Sequence, residues 1–306
     1  MPPESAAFHL KGLAKAVARG VLPAPAIDWL RGRLRGSTVS VVGPDGASRT
    51  RPEWEMMPDT DAVWGAAEGW SHESIAARQV EKWDAFVASI AAPNPIGRSH
   101  EARPDADLDV SAHNTAMTFG YVLGRVLAES GARAPSILDW GGGIGHYFQY
   151  ARALFPASDF QYVIKDFAAL CEAGRKRNPG ARFVETDQAA LAAPHDLVFA
   201  SSSLHYARDV FGLLDRLATA SRHFLFVTRT PFVERVDDFV VVQRPYRYGY
   251  MTEYAGWFLN RAKFETFLAA HGLVLEREFM LAERPHVPNA PEQCRYLGLL
   301  FRRQAG

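Results

Sequence analysis

The chain has 306 residues, 48% of them hydrophobic, which is ample for a packed core and excludes a disordered chain. Lys plus Arg and Asp plus Glu both number 34, and this zero net charge argues against a nucleic-acid partner engaged through overall positive charge. Cys171 and Cys294 form no CxxC pair, charges or prolines interrupt every apolar stretch, and Met1-Pro2-Pro3-Glu4 lacks the layout of a signal peptide. A zinc site, a disulfide framework and a membrane span are therefore disfavoured, and a cytoplasmic protein is expected.

In chain order, Phe8 to Gly36 is basic, with apolar residues at helical spacing, and reads as an amphipathic helix broken at Pro23 and Pro25. Thr38–Val42 reads as a strand followed by a turn at Gly43-Pro44-Asp45-Gly46. Ser71 can cap a helix to about Ala91 with the apolar face Ile75, Val80, Trp83, Val87 and Ile90. Asn94–Asp109 reads as a loop, and Ser111 can cap a helix that carries Met117, Val122, Val126 and Leu127. From Ser136 short apolar runs alternate with helical patterns, the signature of a parallel sheet with crossover helices. The runs begin with Ile137-Leu138, Tyr162–Ile164, Arg182–Val184, Leu197–Phe199 and Phe224–Val227. The last two, Leu273–Leu275 and Tyr296–Phe301, have no helix between them and should pair as an antiparallel hairpin at one edge.

Asp139-Trp140-Gly141-Gly142-Gly143-Ile144-Gly145 follows the first of these strands and opens a helix. Its glycines Gly141, Gly142, Gly143 and Gly145 let the backbone turn tightly and approach a ligand. A carboxylate at Asp139 would repel a pyrophosphate and suits a ligand with an ammonium group and no phosphate, such as S-adenosylmethionine (SAM). Asp166, after the second strand, can accept from ribose hydroxyls, cap the helix that follows, or do both. Phe167 can stack on an adenine or pack in the core. After the third strand, Asp187 is the choice to meet the adenine amino group, with a helix cap as the other reading, and Gln188 beside it is a further cofactor-binding candidate. Ser201, Ser202 and Ser203 after the fourth strand can line a ligand crevice, with His205 and Tyr206 facing the reacting end.

The run Ile137 to Phe148 resembles the SAM-binding motif of class I SAM-dependent methyltransferases, and its longer spelling resembles a methyltransferase family of bacterial surface-polysaccharide and natural-product gene clusters. The resemblance covers roughly Ser111 to Arg303. It implies a Rossmann-like α/β fold with a seven-stranded sheet whose last pair is antiparallel. It also implies that Asp139 and the glycines hold the methionine moiety, Asp166 the ribose and Asp187 the adenine, with SAM as cofactor. Two features depart from family variants: no Asn-Pro-Pro-Tyr type sequence follows the fourth strand, and no His/Asp/Glu cluster has metal-ligand spacing.

Residues 1–108 are expected to form a mainly helical extension, and 109–306 the SAM-binding domain. Within that domain 230–258 is an aromatic lid in which Tyr246, Tyr248 and Tyr250 share a face if extended. The lid could cover the crevice or pack the N-terminal tryptophans. Asn114 and Tyr121, on the helix before the first strand, could reach the cofactor's amino-acid end. His205 is the candidate base, with Tyr206 and Ser203 beside it, although a pocket-shaping role fits His205 as well. The leading reading is methyl transfer to a small-molecule O or N acceptor (a sugar, a peptide-derived compound or a secondary metabolite), with a homodimer as a candidate assembly. Three alternatives stand beside it: a non-methylating SAM enzyme such as a cyclase that makes azetidine-2-carboxylate and methylthioadenosine, a nicotinamide-dependent oxidoreductase, and a silent SAM-binding subunit.

Overall fold

The computed structural model describes residues 38–42, 48–59, 61, 64, 69–91, 93–99 and 107–304. The basic segment Phe8–Gly36 and the turn Gly43–Gly46 lie outside the described residues. The first described elements are strands β1 (Thr38–Val42) and β2 (Ser48–Pro52), an antiparallel pair, followed by β3 (Trp54–Met56). Helix α1 (Glu73–Ile90) is capped by His72, whose ring nitrogen accepts from the Ser74 N–H, in place of the expected Ser71. Its buried stripe is Ile75, Gln79, Trp83, Phe86 and Ile90, with Lys82 buried beside it. The face is thus rotated from the expected one, and Val80 and Val87 are only half-buried. Helix α2 (Val110–Glu129) starts one residue before Ser111 because the Asp109 carboxylate accepts from the Ser111 N–H at 3.0 Å.

The alternating region folds as β4 (Ser136–Trp140), α3 (His146–Leu154), β5 (Gln161–Lys165), α4 (Ala168–Arg177), β6 (Arg182–Val184), α5 (Asp187–Ala190), β7 (His195–Ser201), α6 (Val210–Ala220) and β8 (Ser221–Val233). Strands β6, β5, β4, β7 and β8 lie side by side and parallel. After the lid segment come α7 (Arg261–Ala270), β11 (Leu273–Met280) and β12 (Arg295–Arg303). The last pair is antiparallel as expected, and β12 inserts between β8 and β11. The seven strands therefore run β6-β5-β4-β7-β8-β12-β11, with only β12 reversed. The fold is α/β and Rossmann-like, with helices covering a twisted and mostly parallel sheet.

The segment 230–258, expected as a lid, begins within β8 and goes on into a β-hairpin that the sequence did not disclose. Strands β9 (Phe239–Gln243) and β10 (Tyr254–Asn260) pair antiparallel, and β3 adds to the outer side of β9. β10 joins the end of β8 through Phe232 and Val233, so the hairpin continues the main sheet. Tyr246–Tyr248 form a 3-10 turn ending at Gly249, where φ is +84°, so the three tyrosines do not share an extended face as expected. Tyr246 donates to Glu253, whereas Tyr250 is buried beside Trp70. Trp70 stacks on Tyr254 with centroids 4.5 Å apart, so the lid does pack an N-terminal tryptophan. Trp83 and Phe86 of α1 meet the His146 ring of α3 edge-on, and full burial of a ring such as Phe86 contributes about 1.5–3 kcal/mol. No helix among the described residues is long and apolar enough to cross a membrane.

Candidate active site

A cavity of about 280 Å³ opens at the carboxyl ends of β4, β5, β7 and β8. An open α/β sheet leaves its crevice on this side. The first wall is the loop after β4. Gly141 and Gly143 have φ of +75° and +59°, and Gly145 opens α3 at +100°. Neighbouring groups forbid side chains at these positions: a Cβ on Gly141 would lie 2.3 Å from Ser203 Cβ, and one on Gly143 2.8 Å from Gln79 Oε1. Gly141, Gly142 and Gly143 line the cavity. Gly145 instead packs against Asn178 behind it.

The second wall is Asp166 and Phe167. One carboxylate oxygen of Asp166 accepts from the Gly143 N–H and the other from the Phe167 N–H, both at 2.7 Å. Burial raises the Asp166 pKa, and these two N–H groups and Lys165 pull against it. Phe167 is 46% exposed and therefore presents its ring rather than packing in the core. The third wall is Ser201, Ser202, Ser203 and Tyr206. Ser202 holds φ of +51°, an uncommon conformation for a residue with a side chain. Ser203 donates to the Trp140 carbonyl at 2.8 Å, and Tyr206 donates to Gln243 of β9 at 2.7 Å, so the lid hairpin aims this ring.

Several expected residues lie elsewhere. Asp139 is buried behind the loop, where a Cβ on Gly142 would come 2.6 Å from its carboxyl carbon. One oxygen accepts from Tyr162 at 3.2 Å and the other has no partner. Burial first, and then the Asp166 charge, push its pKa up to about 8 despite the Tyr162 bond, so it is largely a neutral acid at pH 7. Asp187 caps nothing and does not line the cavity. It accepts the Trp140 indole N–H at 2.9 Å and pairs with Lys165 and Arg216, and so holds the Trp140 ring on the cavity wall. Burial opposes its charge, but these partners outweigh burial and keep its pKa low. Gln188 is exposed and off the wall. Tyr121 is 41% exposed, bonded to Arg125 and set edge-on to Phe279, also away from the cavity. Asn114 donates to the Met280 carbonyl.

His205 is the main correction. The 3-10 turn Leu204–Tyr206 directs its ring inward, 4.0 Å from the Tyr206 ring, with no exposure and no hydrogen bond to either nitrogen. Burial, helped by the charge of Arg229, pulls its pKa down to about 3. The imidazole is neutral and off the cavity wall, where it backs Tyr206.

Four wall residues carried no sequence signal. Gln79 of α1 accepts from the Ile144 N–H at 3.3 Å, and Trp70 sits edge-on to Tyr206, so the N-terminal segment completes the cavity. Tyr147 of α3 is bonded to Ser201 at 2.8 Å. Arg229 stands at a break in the β8 ladder, with φ of +51°, and its Nε donates to Glu283 at 2.7 Å. The bulge turns a strand residue into the site, a strained arrangement of the kind that ligand sites retain.

Neither a protein-family model nor a curated protein matches the chain. Solved structures do match over part of it. One is the magnesium protoporphyrin IX methyltransferase ChlM from Synechocystis PCC 6803 with bound SAH, at 14% identity and TM-score 0.44 over 65% of this chain and 90% of that one. Another is the mitomycin 7-O-methyltransferase MmcR, at 17% identity and TM-score 0.41 over 63% and 55%. A third is an S-adenosylmethionine-dependent methyltransferase from Clostridium acetobutylicum ATCC 824, at 12% and 0.42 over 66% and 94%.

Proposed function

We propose that the protein is a SAM-dependent methyltransferase acting on a small-molecule O or N acceptor. The observation that carries this reading is the cavity wall shared by Gly141, Gly142, Gly143 and the Asp166 carboxylate, at the carboxyl end of the sheet. These residues fit SAM: the glycines leave room for close backbone approach, and Asp166 offers oxygens to a ribose diol. Trp140 and Phe167 supply flat walls for an adenine, with Lys165 Nζ 4.7 Å from the centroid of the Trp140 ring. Asp139 stands behind this wall and supports the loop. A pyrophosphate ligand fits less well, because the Asp166 carboxylate lines the loop and Lys165 is already paired with Asp187.

SAM would supply a methyl group on a sulfonium, ready for an acceptor lone pair. The chain's part is to exclude water and orient the acceptor. Trp70, Tyr206 and Tyr147 surround the remaining wall with ring edges and faces, and Arg229 with Glu283 sets its charge. The extension 1–108 then acts as a cap, since Gln79 and Trp70 come from it.

Calorimetry with S-adenosylhomocysteine should show saturable binding. The variant Asp166→Ala should lose at least about tenfold in affinity, the worth of a charge-assisted hydrogen bond. Incubation with SAM should yield S-adenosylhomocysteine only when an acceptor is present. Methylthioadenosine from SAM alone would replace methyl transfer by cyclisation, and tight NAD binding without SAM binding would replace it by hydride chemistry.

A further inference from the structure

Strand β8 is buried from Phe224 to Val233 except at Arg229. The exception has a cause in the ladder. Val227 pairs with Leu299 and Thr230 with Leu297, so Thr228 and Arg229 together face the single residue Gly298 of β12. Gly298 lets this bulge pack, since a Cβ on it would come 3.0 Å from Thr228 Oγ1. Thr228 stays buried, whereas Arg229 reaches the wall of the cavity. Arg229 and Ser202 are the two residues other than glycine with positive φ among the described residues, each at +51°. They stand at neighbouring strand ends, where the Ser202 N–H donates to the Thr228 carbonyl at 3.0 Å, and both line the cavity. Backbone strain of this kind persists where it aims a group at a ligand.

The guanidinium is oriented as well as placed. Its Nε donates to Glu283 at 2.7 Å, a bond that uses one of five donors and fixes the plane of the fork. Glu283 itself is not on the wall of this cavity. Burial pushes the Tyr147 pKa up to about 12, and the charge of Arg229 is the strongest pull against it. The Tyr147 hydroxyl lies 2.8 Å from Ser201 Oγ, and both residues line the cavity, so the field of the cation acts at the wall. The described lining holds one carboxylate, Asp166 after β5. From β5 across β4 and β7 to β8 there are three strand spacings, about 14 Å. A ribose at Asp166 therefore sets the nucleoside at one end of the wall and leaves Arg229 at the other. An ammonium at that end would meet a like charge, and a hydroxyl would leave the charge unanswered. A carboxylate matches both the charge and the fork.

We propose that Arg229 is the specificity-determining residue for the acceptor, a small molecule that carries a carboxylate and docks it on this guanidinium. The proposal rests on reading the cavity as the donor site.

The test uses the full-length protein with benzoate as probe and benzyl alcohol and benzylamine as controls of matched shape. All are titrated calorimetrically with and without saturating S-adenosylhomocysteine. Benzoate should bind at least about tenfold more tightly than either control, the worth of a charge-assisted hydrogen bond. Arg229→Gln should abolish that preference. Arg229→Lys, which keeps the charge and loses the fork, should keep the preference but weaken benzoate about threefold. A second arm compares S-adenosylhomocysteine with its decarboxylated analogue, and Arg229→Gln should change both affinities by the same factor. If it weakens S-adenosylhomocysteine alone, the guanidinium holds the donor's own carboxylate and the acceptor assignment falls. Equal binding of benzoate and a control, or a preference that survives Arg229→Gln, overturns it as well. If Arg229→Gln fails to fold after losing its bond to Glu283, Arg229→Lys decides, and unchanged benzoate affinity in that variant overturns the proposal. Failure of S-adenosylhomocysteine to bind while benzoate remains selective overturns the donor site alone. Binding of S-adenosylhomocysteine without benzoate selectivity overturns the carboxylate site alone.

Discussion

Asp139 shows how one side chain departs from its expected task for a physical reason. At the end of β4 it was expected to meet an ammonium directly, and burial instead makes it a largely neutral acid behind Gly142. Its folded pKa of about 8 lies far above the ordinary carboxylate value, so between the two values the folded chain holds a proton that the unfolded chain releases. Stability is therefore fullest below the ordinary value and falls as pH rises toward about 8, by at most about 1.4 kcal/mol per pH unit. The isosteric Asp139→Asn variant has no such proton. Urea unfolding between pH 5 and pH 9, a range set by this window, should show the wild-type midpoint declining and then levelling off, against a flatter line for the variant. Parallel lines for the two proteins would mean that Asp139 is ionised throughout.

At the scale of the element, α1 and the 3-10 turn before it, Gly69–Ser71, do more than cover the sheet. The stripe that packs Ile75, Trp83 and Phe86 also carries Gln79, whose amide reaches the loop after β4 and accepts from the Ile144 N–H. Gln79→Ala should leave α1 in place, because the aromatic contacts to α3 persist. It should weaken S-adenosylhomocysteine about tenfold, since the loop loses an acceptor and the cavity a wall. A changed melting temperature with unchanged affinity would confine α1 to packing. This element also marks where sequence reading stops. The strands from β4 onward, and the places of the glycine loop and Asp166 at strand ends, were legible because period, turn chemistry and an acid at a strand end are local signals. Gln79 was passed over on a face read as Ile75, Val80 and Val87, since a buried amide looks like a break in an apolar stripe until its partner is seen. Arg229 was hidden because its bulge depends on β12 pairing across from β8, and β12 lies more than sixty residues later. His205 was misplaced for the converse reason: its position after β7 is right for a crevice, but the 3-10 turn decides which of its residues face in, and it turns Tyr206 to the wall.

Over the whole molecule, the proposed division into 1–108 and 109–306 is crossed by backbone pairing. β3 adds to β9, and the Arg244 N–H donates to the Glu53 carbonyl at 2.8 Å. The Arg244 side chain is 1% exposed and pairs with Glu55 at 2.9 Å and Glu253 at 3.2 Å, while its Nη1 donates to the Pro52 carbonyl. Arg247 pairs with the buried Glu53. A buried guanidinium bonded on both sides of a boundary makes the two sides depend on each other, because its loss leaves a void and removes a donor from the Pro52 carbonyl as well as from Glu55 and Glu253. The extension, the lid hairpin and the sheet should therefore unfold together. Tryptophan fluorescence, weighted toward Trp54, Trp64, Trp70 and Trp83 on the N-terminal side, should follow the same urea transition as far-ultraviolet circular dichroism, which is dominated by the sheet and its helices. Arg244→Ala should lower the stability of that shared transition by about 1.5–3 kcal/mol. If fluorescence changes well before dichroism in the wild type, or if the substitution moves only the fluorescence transition, then the extension is a separately stable cap. In that case Gln79 and Trp70 would leave the cavity without unfolding the sheet, and the affinity for S-adenosylhomocysteine would fall at urea concentrations where the dichroism is still native.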